Sequence, residues 1–185
     1  YAQILQRDQT ATHKQKHSID QVYQCGTHLL HLINDILELS KIEARKMELL
    51  PKEIHFPTLL ISVVEICRIK AQQKGISFIY QPSSYLPAGI VADEKRLRQV
   101  LINLLSNAIK FTDHGGVTFK VDVISNQQEI TTIQSPLVTL KFIIKDTGIG
   151  MTPEQVEKIF LPFEQVGDVE HREQGTGLGL AISQK

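Results

Sequence analysis

Apolar residues recur at alternating three- and four-residue spacing along the first third of the chain: Ile19, Val22, Gly26, Leu29, Ile33, Ile36 and Ser40. This is a heptad seam, widened by Leu30 and Leu37. Thr12 followed by Gln15 is a capping-box signal, so the pattern predicts one long helix from there to about Lys46. The opening YAQILQRD reads as the end of another helix that turns back into it. Two antiparallel helices cannot bury so wide a stripe alone. Pairing with a second copy into a four-helix bundle would cover it, and packing of the helix on its own chain's core is the alternative.

After Met47 the periodicity changes. KMELLPKEIHF is short and strand-like, broken by Pro51. TLLISVVEICRIKAQQ gathers Leu60, Val63, Val64, Cys67 and Ala71 on one helical face, and Gly75 ends it. ISFIY is a strand, and IVADEKR runs from a short strand into Asp93, a good helix N-cap. The helix that follows stops at HGG, residues 114–116. GVTFKVDVIS and LVTLKFIIKD alternate apolar and polar residues as paired antiparallel strands do, with NQQEITTIQSP as a long hairpin loop. Thr152, Pro153 and Gln155 cap a short helix, and GTGLGLAISQK begins another. The order predicts an α+β protein: a helical hairpin, then a sandwich of three helices over one mostly antiparallel sheet.

Composition narrows the classes. The 185 residues suit one large or two small domains, and 42% hydrophobic content suffices for a core. Net charge is zero, so nothing electrostatic points to nucleic acid or a membrane surface. No apolar run could span a bilayer, there is no signal-peptide pattern, and a cytoplasmic setting fits best. Cys25 and Cys67, far apart in helical patterns, read as small core residues rather than a disulfide.

Three stretches carry chemistry. In RLRQVLINLLSNAIKFT, Asn103, Asn107 and Lys110 share one stripe of an otherwise apolar helix. A buried amide without a partner costs roughly 1–3 kcal/mol, so the stripe faces water or a polar ligand. Amide oxygens are neutral hard ligands suited to Mg²⁺ shared with phosphates, and a lysine one turn on supplies a point charge. In KDTGIG, Asp146 ends an apolar strand with its carboxylate near the core. The same residues can simply make a turn. Gly148 and Gly150 let backbone lie against a flat ligand, and an acceptor-only carboxylate there suits the adenine amine and rejects guanine. In GTGLGL, Gly175, Thr176, Gly177, Leu178 and Gly179 precede a helix and free backbone N–H groups toward phosphate, although a flexible linker has the same composition. The spacing fits neither a P-loop nor a dinucleotide fingerprint.

Taken in order, these stretches resemble the signature boxes of sensor histidine kinases. QVLINLLSNAIKFT is similar to the N box, DTGIG to the G1 box, IFLPFEQ to the F box and GTGLGLAIS to the G2 box. HLINDILELSKIEARKMEL resembles the second helix of their dimerisation and phosphotransfer domain. The resemblance implies residues 1–48 as part of that domain and 49–185 as a C-terminally truncated Bergerat ATP-binding domain. It implies Asp146 on the adenine amine, Asn107 as principal Mg²⁺ ligand with Asn103 in support, and Lys110 on phosphates. Gly148 and Gly150 would line the base pocket, Gly175, Gly177 and Gly179 the base of a lid, and residues 163–174 the mobile lid itself. The implied activity is transfer of the ATP γ-phosphoryl group to a histidine and then to an aspartate of a response regulator, from a homodimer. No acceptor motif His-Glu-x-x-x-Pro occurs, so His13, His17, His28 and His31 read as surface or bundle residues and the segment as unable to label itself. Gyrase-type relatives carry a water-activating glutamate at the position of Asn103; an amide cannot act as that base. An ATP-hydrolysing clamp and a catalytically silent scaffold are the competing expectations.

Overall fold

The computed structural model describes residues 5, 12–124, 138–165 and 176–185. Helix α1, His13–Glu43, starts at the expected capping box. Thr12 Oγ1 accepts from the Gln15 N–H at 3.4 Å, and Gln15 Oε1 accepts from the Thr12 N–H at 2.8 Å. The helix stops short of Lys46, where Arg45 takes a left-handed φ of 52°. The opening segment expected as a helical end lies outside the described residues, Leu5 excepted.

Among the described residues the heptad seam is largely uncovered, Ile19 alone of its apolar positions being half-buried. Val22 is 65% exposed, and Leu29, Leu30, Ile33, Ile36 and Leu37 are exposed with it. Leu39 is the one buried residue of α1. Cys25 is exposed, which corrects the expectation of two core cysteines; it sits on a part of α1 that no described residue buries. Cys67 does fill the core, and burial pushes its thiol pKa up to about 11, leaving it protonated and inert. His13, His17, His28 and His31 are exposed, as expected.

The second part runs β1 (Lys52–His55), α2 (Phe56–Lys74), β2 (Ser77–Pro82), β3 (Gly89–Ala92), α3 (Glu94–Lys110), β4 (Gly116–Ile124), β5 (Thr139–Asp146), α4 (Pro153–Lys158) and α5 (Gly179–Gln184). Helix α2 ends at Gly75 in the left-handed region, φ 77°, as predicted. Helix α3 ends at Lys110, four residues before the HGG turn, because the Thr112 hydroxyl turns back onto the Ala108 carbonyl at 2.8 Å. Helix α4 carries the Thr152–Gln155 capping box.

The strands divide between two sheets rather than lying in one. β1 pairs antiparallel with β3, and β4 pairs antiparallel with β5 from Val117↔Asp146 to Ile124↔Thr139. β2 and β4 are parallel, with the β3–α3 crossover between them. The expected connecting loop between β4 and β5 lies outside the described residues. Helices α2 and α3 pack together and cover the three-stranded sheet, enclosing Leu60, Val63, Cys67, Leu101, Leu105 and Phe119. Phe119 stacks on Tyr80 at 5.6 Å and on Phe142 at 6.4 Å between ring centroids.

Asp93 fixes both the start of α3 and the strand entry. One carboxylate oxygen accepts from the Leu50 N–H at 3.0 Å and the other from the Arg96 N–H at 3.1 Å. The Leu50 and then the Arg96 backbone hydrogen bonds hold its pKa below the ordinary 3.8. A depressed folded pKa contributes stability that is complete above the unfolded value and is lost as pH falls through the folded one. Asp93→Asn is therefore expected to flatten the acid limb of stability below about pH 4, read by urea denaturation at pH 2 to 7.

Candidate functional site

The site is built around the C-terminal half of α3. Leu101, Leu105, Ala108 and Ile109 face the core, which turns Asn103, Asn107 and Lys110 outward as a half-buried stripe. Lys74 in the last turn of α2 anchors this end of α3. Its ammonium donates to the Ile109 carbonyl at 3.1 Å and to the Lys110 carbonyl, and pairs with Asp113 at 3.0 Å. Such a cation complements the negative end of the helix dipole. The Lys110 ammonium lies 4.9 Å from the Phe111 ring centroid, and partial burial lowers its pKa.

Two loops from distant parts of the chain attach to α3. The first follows β5. Ile149 N–H donates to the Phe111 carbonyl at 3.3 Å, which fastens the Asp-Thr-Gly turn to the helix end. The Thr147 hydroxyl donates to the His114 carbonyl at 2.9 Å and accepts from the Gly116 N–H at 3.0 Å. Asp146 ends β5 with Oδ1 accepting from the Gly148 N–H at 2.9 Å. Its carboxylate is exposed, not near the core as the sequence reading had it, because the turn beyond β5 folds onto the end of α3 instead of over Asp146. Gly150 follows in the left-handed region.

The second loop precedes α5. The Asn103 amide donates to Ser183 Oγ at 2.9 Å, joining α3 to α5. Gly179 lies directly against Asn103 Oδ1, where a β-carbon would collide with it. Asn107 Nδ2 donates to Asn103 Oδ1 at 3.5 Å, and Asn107 Oδ1 has no protein partner among the described residues. Gly177 has φ 70°, and a β-carbon there would sit 2.9 Å from the Phe163 backbone. The Gly177 carbonyl accepts from the Phe163 N–H at 3.0 Å. Leu178 and Ala181 are buried and seat the segment. Thr176 Oγ1 accepts from the Leu178 N–H at 3.2 Å and donates to Asp35 of α1 at 3.0 Å.

Of the predicted residues, Asn103, Asn107, Lys110, Asp146, Gly148, Gly150, Thr176, Gly177, Leu178 and Gly179 therefore sit on α3, on the two loops tied to it or at the first position of α5. Gly175 and lid residues 166–174 lie outside the described residues. Sequence reasoning missed Thr147, Ser183, Lys74 and Asp35. Thr147 adjoins Asp146, and Lys74 stands in the last turn of its helix, so each carried a local signal; Ser183 and Asp35 carried none.

A cation site made of amides fits these residues. Among the described residues no group of three or more His, Cys, Asp or Glu side chains is placed to hold a metal. Asn107 offers a half-buried carbonyl oxygen that no described residue hydrogen-bonds, with Asn103 beside it.

The fold is one of helices on a mixed sheet, with the amides along the C-terminal half of α3 and two glycine loops beside it, and its class is that of an ATP-binding domain. Residues 92–185 match the family described as histidine kinase-, DNA gyrase B- and HSP90-like ATPase, and the chain belongs to it. Residues 1–45 match the His Kinase A (phospho-acceptor) domain, which makes the chain part of a sensor histidine kinase with the Bergerat ATPase fold. It is 36% identical to hybrid signal transduction histidine kinase B of Dictyostelium discoideum, over all of this chain and 9% of that protein. It is 35% identical to histidine protein kinase DivJ of Caulobacter vibrioides, over 87% of this chain and 25% of DivJ. The chain thus spans a quarter or less of these relatives' lengths. Among solved structures, full-length ShkA in complex with AMPPNP superposes with a TM-score of 0.75 at 35% identity, covering 98% of this chain and 35% of ShkA. Among the described residues, no helix is long and apolar enough to cross a membrane.

Proposed function

We propose that residues 49–185 bind Mg·ATP and deliver its γ-phosphoryl group to a histidine carried on a helical hairpin, to which residues 1–48 belong. A response regulator aspartate is the next acceptor, and two copies pair through the α1 seam. The observation that carries this reading is the attachment of the loop after β5 and of helix α5 to the C-terminal half of α3, through Ile149–Phe111 and Asn103–Ser183. Asp146 accepts the adenine amine and excludes guanine. Lys110 meets the phosphates with a point charge. Asn107 and Asn103 hold Mg²⁺, which when bound neutralises and orients the phosphate oxygens. No residue beside Asn103 or Asn107 in α3 offers a carboxylate base for water, so the site favours transfer to a side chain over hydrolysis.

Calorimetric titration is expected to show Mg²⁺-dependent ATP binding and at least ~10-fold weaker GTP binding, since a carboxylate facing a carbonyl leaves a hydrogen bond unmade. With γ-labelled ATP the chain alone acquires no acid-labile phosphohistidine, because it lacks the His-Glu-x-x-x-Pro motif. A chain extended to include that motif does. Steady ATP turnover without protein phosphorylation would overturn the proposal. Gly179→Ala provides a local check. Its methyl group pushes Asn103 aside, so nucleotide affinity falls ~10-fold, the size of one lost charge-assisted contact. Helix α5 itself gains from alanine, and thermal stability changes little.

A further inference from the structure

An asparagine presents either its carbonyl oxygen or its NH₂ group to a given neighbour, and the neighbours decide which. Asn103 and Asn107 are both half-buried on α3, and only the oxygen end of an amide ligates a hard cation. The orientation of both traces back to Ser183, a half-buried residue of α5. Its hydroxyl donates its single proton to the Gly179 carbonyl, one turn earlier in the same helix, at 2.9 Å. With that proton committed, Ser183 Oγ is an acceptor only toward α3. It accepts from Asn103 Nδ2 at 2.9 Å. Asn103 therefore presents Oδ1 to Asn107, whose Nδ2 donates to it at 3.5 Å. Asn107 Oδ1 is the group left over, and no described residue hydrogen-bonds it. The alternative chain runs in the opposite sense. Were Ser183 to donate to Asn103, Asn103 would turn its NH₂ to Asn107, and Asn107 would spend its oxygen inward and leave an NH₂ that no cation accepts.

We propose that Ser183 is a positioning residue for the cation: the hydrogen bonds Ser183–Gly179, Asn103–Ser183 and Asn107–Asn103 run in one direction and select the amide orientation in which the Asn107 oxygen is free. The inference rests on the reading of Asn107 as the Mg²⁺ ligand. Ser183 is assigned no contact with metal or phosphate. It acts through Asn103, as outer partners orient the groups that do ligate a metal. A hydroxyl bonded back to its own helix is ordinary for a serine. What gives this one a role is the second bond, which crosses to α3 and fixes the sense of an amide there. Gly179 permits that crossing, since a β-carbon at its position would collide with the Asn103 amide.

The test uses the 185-residue chain, its Ser183→Ala variant, which removes the hydroxyl, and its Ser183→Thr variant, which keeps it. Alanine is a strong helix former, so α5 keeps its structure. Nitrogen-15 NMR of the side-chain amides, without metal or nucleotide, reads the hydrogen-bond chain directly. The NH₂ resonances of both Asn103 and Asn107 shift in Ser183→Ala and return toward the parent positions in Ser183→Thr. An unmoved Asn107 resonance in Ser183→Ala overturns the proposal. Calorimetry then reads the consequence. ATP binding with Mg²⁺ weakens about 5-fold in Ser183→Ala, the scale of one neutral hydrogen bond, and recovers in Ser183→Thr. With EDTA in place of Mg²⁺ the difference between the chains disappears. An equal loss with and without Mg²⁺ marks a merely structural role and overturns the proposal. If the parent chain binds no nucleotide, the assignment of the site fails, and the amide spectra still decide whether Ser183 orients Asn107.

Discussion

Replacing Asp146 by asparagine is expected to weaken ATP binding by about 10- to 100-fold, the cost of losing a hydrogen bond to a charged group. The substitution keeps the size of the side chain but turns one acceptor into a donor, which faces the donor amine of adenine. Oδ1 is already taken by the Gly148 N–H, so the proposed role falls on the other oxygen. Asparagine can present its carbonyl to Gly148 only by presenting its NH₂ to the base. Calorimetry with ATP and GTP checks this: ATP affinity falls while the weak GTP affinity holds or rises. Because Asp146 is exposed, folding is expected to survive the change, and circular dichroism separates lost binding from lost structure.

Phe119→Ala has the largest expected effect on stability, about 3–5 kcal/mol. Its ring is fully buried and stacks between Tyr80 and Phe142 in the strand that pairs on both edges. Removing it opens a cavity under three strands at once. Against a total stability of about 5–15 kcal/mol, this moves the melting temperature by roughly 10 °C or more, measurable by scanning calorimetry.

The features legible in the sequence were those that depend on residues close in the chain. Thr12 with Gln15, Asp93 before α3, Gly75 after α2 and Thr152 with Gln155 all cap helices as read, because capping is settled within one turn. The α2 stripe was equally clear, since an amphipathic helix records its buried face in its own period. The β4–β5 pairing followed from alternation alone. The parallel pairing of β2 with β4 did not, since ISFIY alternates the same way beside either neighbour. Exposure of Cys25 and Asp146 depended on what lies over them, which local pattern does not record. Most distant of all was the Asp35–Thr176 contact, 141 residues apart in sequence.

The hydrogen bond from Phe163 to Gly177 joins the two ends of the intervening segment. Closing a chain between fixed ends costs free energy that grows only with the logarithm of its length, about 0.6 kcal/mol per doubling. With its anchor points clamped, that span can be lengthened or shortened by evolution or by an engineer at small thermodynamic cost. Insertions between those anchor points are expected to leave the domain beneath them folded.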